Sequence, residues 1–238
     1  MKVALITGAT GGIGRAIARA LDDRGYALLL HGYDTDRAGT DLAASLRQAT
    51  YVDADLTDPA AAQTLVTTVE RTWSQLDVLV NNAGIGPPVP HANLHSVTPQ
   101  FWEDMLRTNL LGPWYLIQAA AAMLATARGS IVNMASIAGL AVSGSSIPYA
   151  VSKAGLIHLT RLLAVALGPD IRVNAIAPGY VETPRTQNWH DIRHQVTTRA
   201  PLRRLGQPDD IATACLALLD STYTTGAVLV ADGGLSLV

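Results

Sequence analysis

Short apolar runs alternate with stretches in which apolar residues recur at helical spacing, and the alternation holds along the whole chain. "KVALITG" (residues 2–8) reads as a strand. "GIGRAIARALDDRG" (12–25) follows as a helix with Ile13, Ile17, Ala20 and Leu21 on one face and Gly25 as a stop signal. "YALLLHG" (26–32) is a second strand, "GTDLAASLRQA" (39–49) a second helix and "TYVDADL" (50–56) a third strand. In "TDPAAAQTLVTTVERTW" (57–73), Asp58 is placed to cap a third helix, with Pro59 in its first turn. "LDVLVNNAG" (76–84) is the fourth strand, residues 99 to about 127 are helical, and "GSIVNMAS" (129–136) is the fifth strand. A helix opens in "SSIPYAVSKAGLIHL" (145–159), then come a sixth strand, "IRVNAIAPG" (171–179), a helix in "QPDDIATACLALL" (207–219) and a seventh strand, "GAVLVADGG" (226–234). Strands so short and so apolar, separated by helices, imply a parallel sheet covered on each side, a doubly wound α/β fold. No linker, repeat or shift in composition divides the chain, so residues 1–238 read as one domain. Residues 183–206 stand outside the alternation, and a long segment of that kind predicts a lid or binding loop.

At 238 residues, 49% hydrophobic and 15% charged, the chain can bury a substantial core and is not a disordered one. A formal net charge of −2 excludes a global attraction to nucleic acid or to an anionic membrane. No apolar stretch approaches the length of a bilayer span, and the run at residues 3–6 is too short for a signal peptide's core. A cytoplasmic location is expected. Cys215 has no second cysteine to pair with and reads as a small buried apolar residue.

Two features carry chemistry. The first is "TGATGGIG", which follows the first strand and opens a helix. Its Gly8, Gly12 and Gly14, with Thr10, Gly11 and Ile13 between them, let backbone approach a pyrophosphate while the helix's first N–H groups bind the anion. The spacing departs from G-x-G-x-x-G, yet its place after the first strand of an alternating chain predicts dinucleotide binding. The second is Tyr149 and Lys153, four positions apart and therefore on one helical face. The chain holds fifteen arginines and two lysines, Lys2 and Lys153, so a lysine kept beside a tyrosine stands out. A tyrosine ordinarily titrates near 10, and a neighbouring ammonium favours its phenolate. Such a phenol can exchange a proton with a carbonyl or alcohol oxygen near neutral pH. Lysine suits that task better than arginine, because its compact head carries three rotatable donors.

"TGATGGIG", "DADL" around Asp55, "NNAG" at residues 81–84, Asn109, Ser136, "YAVSK" and "APGYVET" stand in one order along the chain. In that order they resemble the short-chain dehydrogenases/reductases, in their compact single-domain branch, over residues 3 to about 234. The resemblance implies a Rossmann-type sheet of seven parallel strands with helices on both faces. It implies Tyr149 as acid/base, Lys153 beside it and on the nicotinamide ribose, Ser136 on the substrate oxygen, and Asn109 holding a relay water. It also places Asp55 and Leu56 near the adenine, and Asn82, Ala83 and Gly84 along the adenosine ribose and fourth strand. Pro178, Gly179, Val181 and Thr183 would border the nicotinamide. Similar enzymes that prefer NAD carry an acidic residue where Gly32 stands here, with Tyr33 and Asp34 after it. Those that prefer NADP place a cation where Tyr33 or Gly11 stands. With Arg15 and Arg37 in reach of a 2′-phosphate, and Asp34 able to repel one, the reading leans to NADP(H) over NAD(H).

The expected activity is therefore an NAD(P)-dependent interconversion of a ketone and a secondary alcohol. The alternative is reduction of a 3-oxoacyl thioester on an acyl-carrier protein. It is motivated by Arg185, Arg193, Arg199, Arg203 and Arg204, which make the lid basic; a solvated or intersubunit face explains them more simply. A non-catalytic dinucleotide sensor is the remote alternative, since all four catalytic positions are filled. His190 and His194 share a helical spacing without a third ligand, so no metal site is expected. Trp189 is a candidate wall of the substrate pocket. Similar proteins assemble as homotetramers, or as homodimers, through the Tyr149 helix and the long helix before the fifth strand.

Overall fold

A computed structural model describes residues 1–184, 186 and 190–238, with the backbone alone for His190 and Asp191. Among these residues, seven parallel strands form one sheet in the order β3-β2-β1-β4-β5-β6-β7. The strands are β1 (Val3–Ile6), β2 (Ala27–Gly32), β3 (Ala49–Asp53), β4 (Val78–Asn81), β5 (Ser130–Met134), β6 (Arg172–Pro178) and β7 (Val228–Ala231). Between them lie α1 (Gly12–Asp23), α2 (Asp36–Ala44), α3 (Pro59–Trp73), α4 (Pro99–Leu106), α5 (Gly112–Thr126), α6 (Ile147–Ala166), α7 (His190–Arg199) and α8 (Pro208–Asp220).

Alternate residues of each strand supply two separate cores, as the pleat requires. Leu5, Leu29, Leu79, Ile131 and Val173 pack against Leu65 and Val69 of α3 and Leu116 and Ile117 of α5. Their neighbours Ile6, Leu28, Leu30, Val80, Val132 and Ile176 pack on the other face against Ile17 and Leu21 of α1 and Ile211 and Cys215 of α8. Each fully buried aliphatic side chain contributes about 1.5–3 kcal/mol, so both faces are strongly committed. Cys215 is buried as expected, and burial pushes its thiol up to about 12. Among the described residues no helix is long and apolar enough to cross a membrane.

Three elements differ from the sequence pattern, one of them α7, a helix inside residues 183–206, which stand outside the alternation. The second helix begins at Asp36 and ends at Ala44, because Ala49 already pairs with Leu28 as the first residue of β3. Gly39 lies inside this helix and not at its start. A Cβ there would fall 2.1 Å from the Tyr51 ring, so the missing side chain lets α2 seat on β3. The long helical region is interrupted by a π-helical turn, Arg107–Leu111, between α4 and α5. Such turns concentrate at functional sites.

The chain runs outward from β1 to β3, then returns to β4 on the other side of β1. That reversal opens a crevice beyond the carboxyl ends of β1 and β4, where ligands of open α/β sheets bind.

Candidate active site

A cleft of about 850 Å³ occupies this crevice. Its floor is the turn from β1 into α1. Gly8 sits at φ +61, and a Cβ on it would lie 2.9 Å from the Cα of Ala83. A Cβ on Gly14 would lie 2.2 Å from the Gly8 carbonyl oxygen. Both positions therefore need glycine, one for its backbone angle and both for close approach. The end of β4 clamps this turn from behind. Asn82 donates from Nδ2 to the carbonyls of Thr7 (2.9 Å) and Gly8 (3.0 Å), and the Thr7 hydroxyl accepts from the Asn82 and Ala83 N–H groups (2.9 and 3.0 Å). No side chain caps α1, whose N-cap is Gly11. Its first-turn N–H groups therefore stay available for an anion, which with the bare glycine backbone fits the pyrophosphate of a dinucleotide.

At the far end, Ser146 caps α6 by accepting the Tyr149 N–H at 3.3 Å, with Ile147 and Pro148 between them. The cap fixes where the helix starts and so where Tyr149 and Lys153 point. Lys153 is 4% exposed, and its ammonium donates to the Met134 carbonyl at the end of β5 at 2.8 Å. It stands 5.8 Å from the centre of the Tyr149 ring. A buried ammonium is costly without such partners. Ser136, just past β5, accepts the Ala138 N–H at 3.1 Å, which steers its hydroxyl and leaves its proton free to donate.

Asn109 lies in the π-helical turn and is fully buried. Its amide donates to the Ile85 carbonyl (2.9 Å) and the Ser152 hydroxyl (3.1 Å), while Oδ1 accepts the Ile85 N–H (2.9 Å). It thereby ties the loop after β4 to α6. Asn109 Oδ1 and Lys153 Nζ lie 2.9 and 3.3 Å from the point where a side chain on Gly84 would begin. Glycine at that position keeps the two groups in view of each other.

The cleft is lined by the glycine turn with Thr10, Gly11, Gly12 and Ile13, by Tyr33, Asp55 and Leu56, and by Asn82, Ala83 and Gly84. Ser136, Tyr149 and Lys153 line it too, as do Pro178, Gly179, Val181 and Thr183. Two expected positions do not: Asn109 lies behind the wall, and Asp34 turns to solvent because β2 ends at Gly32. Arg185, Trp189 and the side chain of His190 lie outside the described residues.

The sequence pattern missed several wall residues. His31 is buried in β2, where Nδ1 accepts the Gly8 N–H (3.4 Å) and Nε2 donates to the Ala54 carbonyl (2.8 Å). Burial depresses its pKa despite the Ala54 carbonyl and the Asp53 and Asp55 charges, so it is neutral and bridges three segments. Tyr180 lines the cleft, and burial, then the nearby Tyr149, raise its phenol above the ordinary value. The Ser145 hydroxyl faces the same end and is buried without a hydrogen-bond partner. A tyrosine directly after "PG" was a usable signal; His31 and Ser145 had none.

A family model described as enoyl-(acyl carrier protein) reductase matches residues 8–236. A Streptomyces violaceoruber protein assigned as ketoacyl reductase 2 of the granaticin polyketide synthase is 47% identical, over 99% of this chain and 96% of that one. A crystal structure from Burkholderia xenovorans assigned as a short-chain dehydrogenase/reductase superposes with a TM-score of 0.94 at 33% identity, covering 100% of this chain and 99% of that chain. The structure of ElxO with NADP bound superposes with a TM-score of 0.90 at 29% identity, covering 98% of each chain.

Proposed function

The chain belongs to the short-chain dehydrogenase/reductase family and is an oxidoreductase, and from that premise we propose that Tyr149, Lys153 and Ser136 interconvert a ketone and a secondary alcohol in its cleft. A bound NAD(P)(H) supplies or takes up the hydride. Tyr149 gives a proton to the substrate oxygen in reduction and takes it back in oxidation. The Lys153 ammonium stabilises the charge left on the Tyr149 oxygen when that proton departs. Ser136 donates to the same substrate oxygen and orients it. Asn109 is a positioning residue. Its amide protons are used by Ile85 and Ser152, and Oδ1 keeps a lone pair toward the lysine for a relay water.

One observation carries this reading: a tyrosine, a buried lysine and a serine meet at one end of a cleft whose floor is a bare glycine turn. The test is a panel of ketones, cyclic alcohols and 3-oxoacyl thioesters, followed at the reduced-nicotinamide absorbance band with both dinucleotides. Turnover of at least one carbonyl class is expected. Dinucleotide binding without turnover across the panel would leave a sensing protein and no enzyme.

Within that reaction, a 3-oxoacyl substrate is the second reading, favoured by the 47% identity to the granaticin ketoacyl reductase. Among the described residues, four of the lid's arginines are engaged within the chain, which favours the solvated or intrachain role for them. Arg193 pairs with Glu182 (2.6 Å) and Arg204 with Asp210 (2.6 Å), Arg199 donates to the Val238 carbonyl (2.8 Å) and Arg203 to the Thr198 carbonyl.

Residues 183–206 act as the lid of a single catalytic domain in this proposal, with Thr183, Pro184 and Thr186 on the cleft. Exposed Leu111 and Trp114 near the start of α5, and Val151, Leu162 and Val165 of α6, support assembly as a homotetramer or homodimer. Light scattering on the purified protein reads the assembly directly. The lean to NADP(H) requires Arg15 or Arg37 at the adenosine end, and neither lines the cleft.

A further inference from the structure

Gly32, the position that is acidic in similar enzymes preferring NAD, cannot carry a side chain here. Its Cβ would lie 2.2 Å from Thr35 Oγ1 and 2.5 Å from the Tyr51 hydroxyl oxygen. Two hydroxyls brought from elsewhere fill that space, and Gly32 and Thr35 both line the cleft. The Tyr51 hydroxyl donates to Asp53 Oδ2 at 2.7 Å and lies 2.8 Å from Thr35 Oγ1. Thr10 Oγ1 donates to Thr35 Oγ1 at 3.4 Å.

The direction of this chain follows from counting protons. An ionised carboxylate only accepts, and each hydroxyl has one proton. The Tyr51 proton is committed to Asp53, so the Tyr51 oxygen accepts from Thr35. The Thr35 proton is thereby turned inward, and Thr35 offers the cleft a lone pair. Asp53 is held ionised: burial alone would raise its carboxyl, yet donation from the Thr35 N–H (3.0 Å), the Tyr51 hydroxyl and the Asp34 N–H (3.1 Å) brings it below its ordinary value. Burial, aided by Asp53, pushes the Tyr51 phenol up to about 12, so it remains a donor.

We propose that the chain Thr35–Tyr51–Asp53 presents only an acceptor to the adenosine ribose, so that the cleft selects NAD(H), whose 2′-hydroxyl donates, over NADP(H), whose 2′-phosphate is itself an acceptor. The proposal rests on the dinucleotide reading above. Charge acts in the same direction. Asp53 at the end of β3, with Asp34 and Asp55 in the loops that follow β2 and β3, stands at this end, whereas among the described residues neither Arg15 nor Arg37 forms an ion pair or lines the cleft.

The test measures binding without catalysis. ADP-ribose and 2′-phospho-ADP-ribose differ only in the group concerned, and isothermal titration of the native protein with each gives the two dissociation constants. ADP-ribose is expected to bind at least about tenfold more tightly, the worth of one matched hydrogen bond. Tyr51→Phe frees the Thr35 proton to face the cleft and should bring that ratio close to one. Thr35→Val keeps the shape and removes the acceptor, weakening ADP-ribose several-fold while leaving the phosphorylated ligand unchanged. If Tyr51→Phe fails to fold, as judged by circular dichroism, Thr35→Val decides. Equal or tighter binding of 2′-phospho-ADP-ribose by the native protein, or an unchanged ratio in the folded variants, overturns the proposal. Failure of the native protein to bind either ligand would instead remove the dinucleotide reading beneath it.

Discussion

At one end of the cleft, Tyr149 and Lys153 stand one turn apart on a single capped helix, with Ser136 at the end of the neighbouring strand. At the other, Thr35, Tyr51 and Asp53 come from a loop and the edge strand β3, and they meet only because β2 and β3 pair in one register. The first end is organised by a buried charge that donates to the Met134 carbonyl and faces the space left by Gly84. The second is organised by a half-buried carboxylate, Asp53, that sets the direction of two hydroxyls. In the proposed reaction a proton moves at the first end, around one substrate oxygen. In the proposed discrimination nothing moves at the second, where similar groups only accept or donate a hydrogen bond. Hydroxyls next to a charge are thus a shared vocabulary, and their burial and bonding decide which task they perform.

Perturbing each end separately should break or sharpen that contrast. Tyr149→Phe should lower turnover by about 10²–10⁴-fold, the usual worth of a positioned acid/base, with dinucleotide affinity preserved. Undiminished reduction in stopped-flow or steady-state assays would show that proton transfer does not run through Tyr149. Gly14→Ala is the converse experiment. Its methyl would sit 2.2 Å from the Gly8 carbonyl oxygen, so the cradle must shift. Overpacking of that kind costs about 1–3 kcal/mol, and urea melts and dinucleotide titration should both record it.

Asn109→Ala tests how the catalytic end is held. It removes two hydrogen bonds to the Ile85 backbone and one to the buried Ser152 hydroxyl, at about 0.5–1.5 kcal/mol each. Turnover should fall more than ADP-ribose affinity, because the loop after β4 sits nearer Lys153 than the ribose end. Equal losses in both would mean that the cleft responds as one unit.

The His31 pH dependence is smaller and belongs to the other end. Burial depresses its folded-state pKa, so the unfolded chain binds the proton more readily. Stability should therefore be full above the unfolded value of about 6.5 and decline as pH falls toward the folded value. Only as pH falls through the folded value does Nδ1 become protonated and stop accepting the Gly8 N–H, so dinucleotide affinity should fall there, below the range in which stability declines. Titrations at several pH values, repeated on His31→Gln, should show the slope in the native protein and its loss in the variant. Smallest of all, Arg204→Ala removes an exposed pair with Asp210, whose carboxyl the guanidinium holds down at about 2. Stability near neutral pH should barely change, with neither end of the cleft affected.

How much of this was readable without coordinates depends on chain separation. The alternation of apolar runs placed every strand of the sheet within a few residues, because periodicity and burial act over one element at a time. Tyr149, Lys153 and the glycine turn were legible for the same reason. Their geometry is local, set by a helical repeat in one case and a strand–turn–helix in the other. The bounds of α2 were not legible, because Gly39 has the look of a start signal and only the fold brings Tyr51 against it. Asp34 follows Gly32 closely enough in sequence to act on a 2′-phosphate, yet β2 stops at Gly32 and the carboxylate turns outward.

By itself, then, the sequence determined which elements form, which faces they bury, and which residues one helical turn or one tight turn brings together. The tertiary structure alone decided that the Tyr51 hydroxyl fills the space beside Gly32, that His31 props the glycine turn, and that Asn109 spans the gap from Ile85 to Ser152. The physical reason is range. Dihedral preferences and period act between residues a few bonds apart, whereas the direction of a hydrogen-bonded chain depends on strand register and packing among segments that share no local pattern.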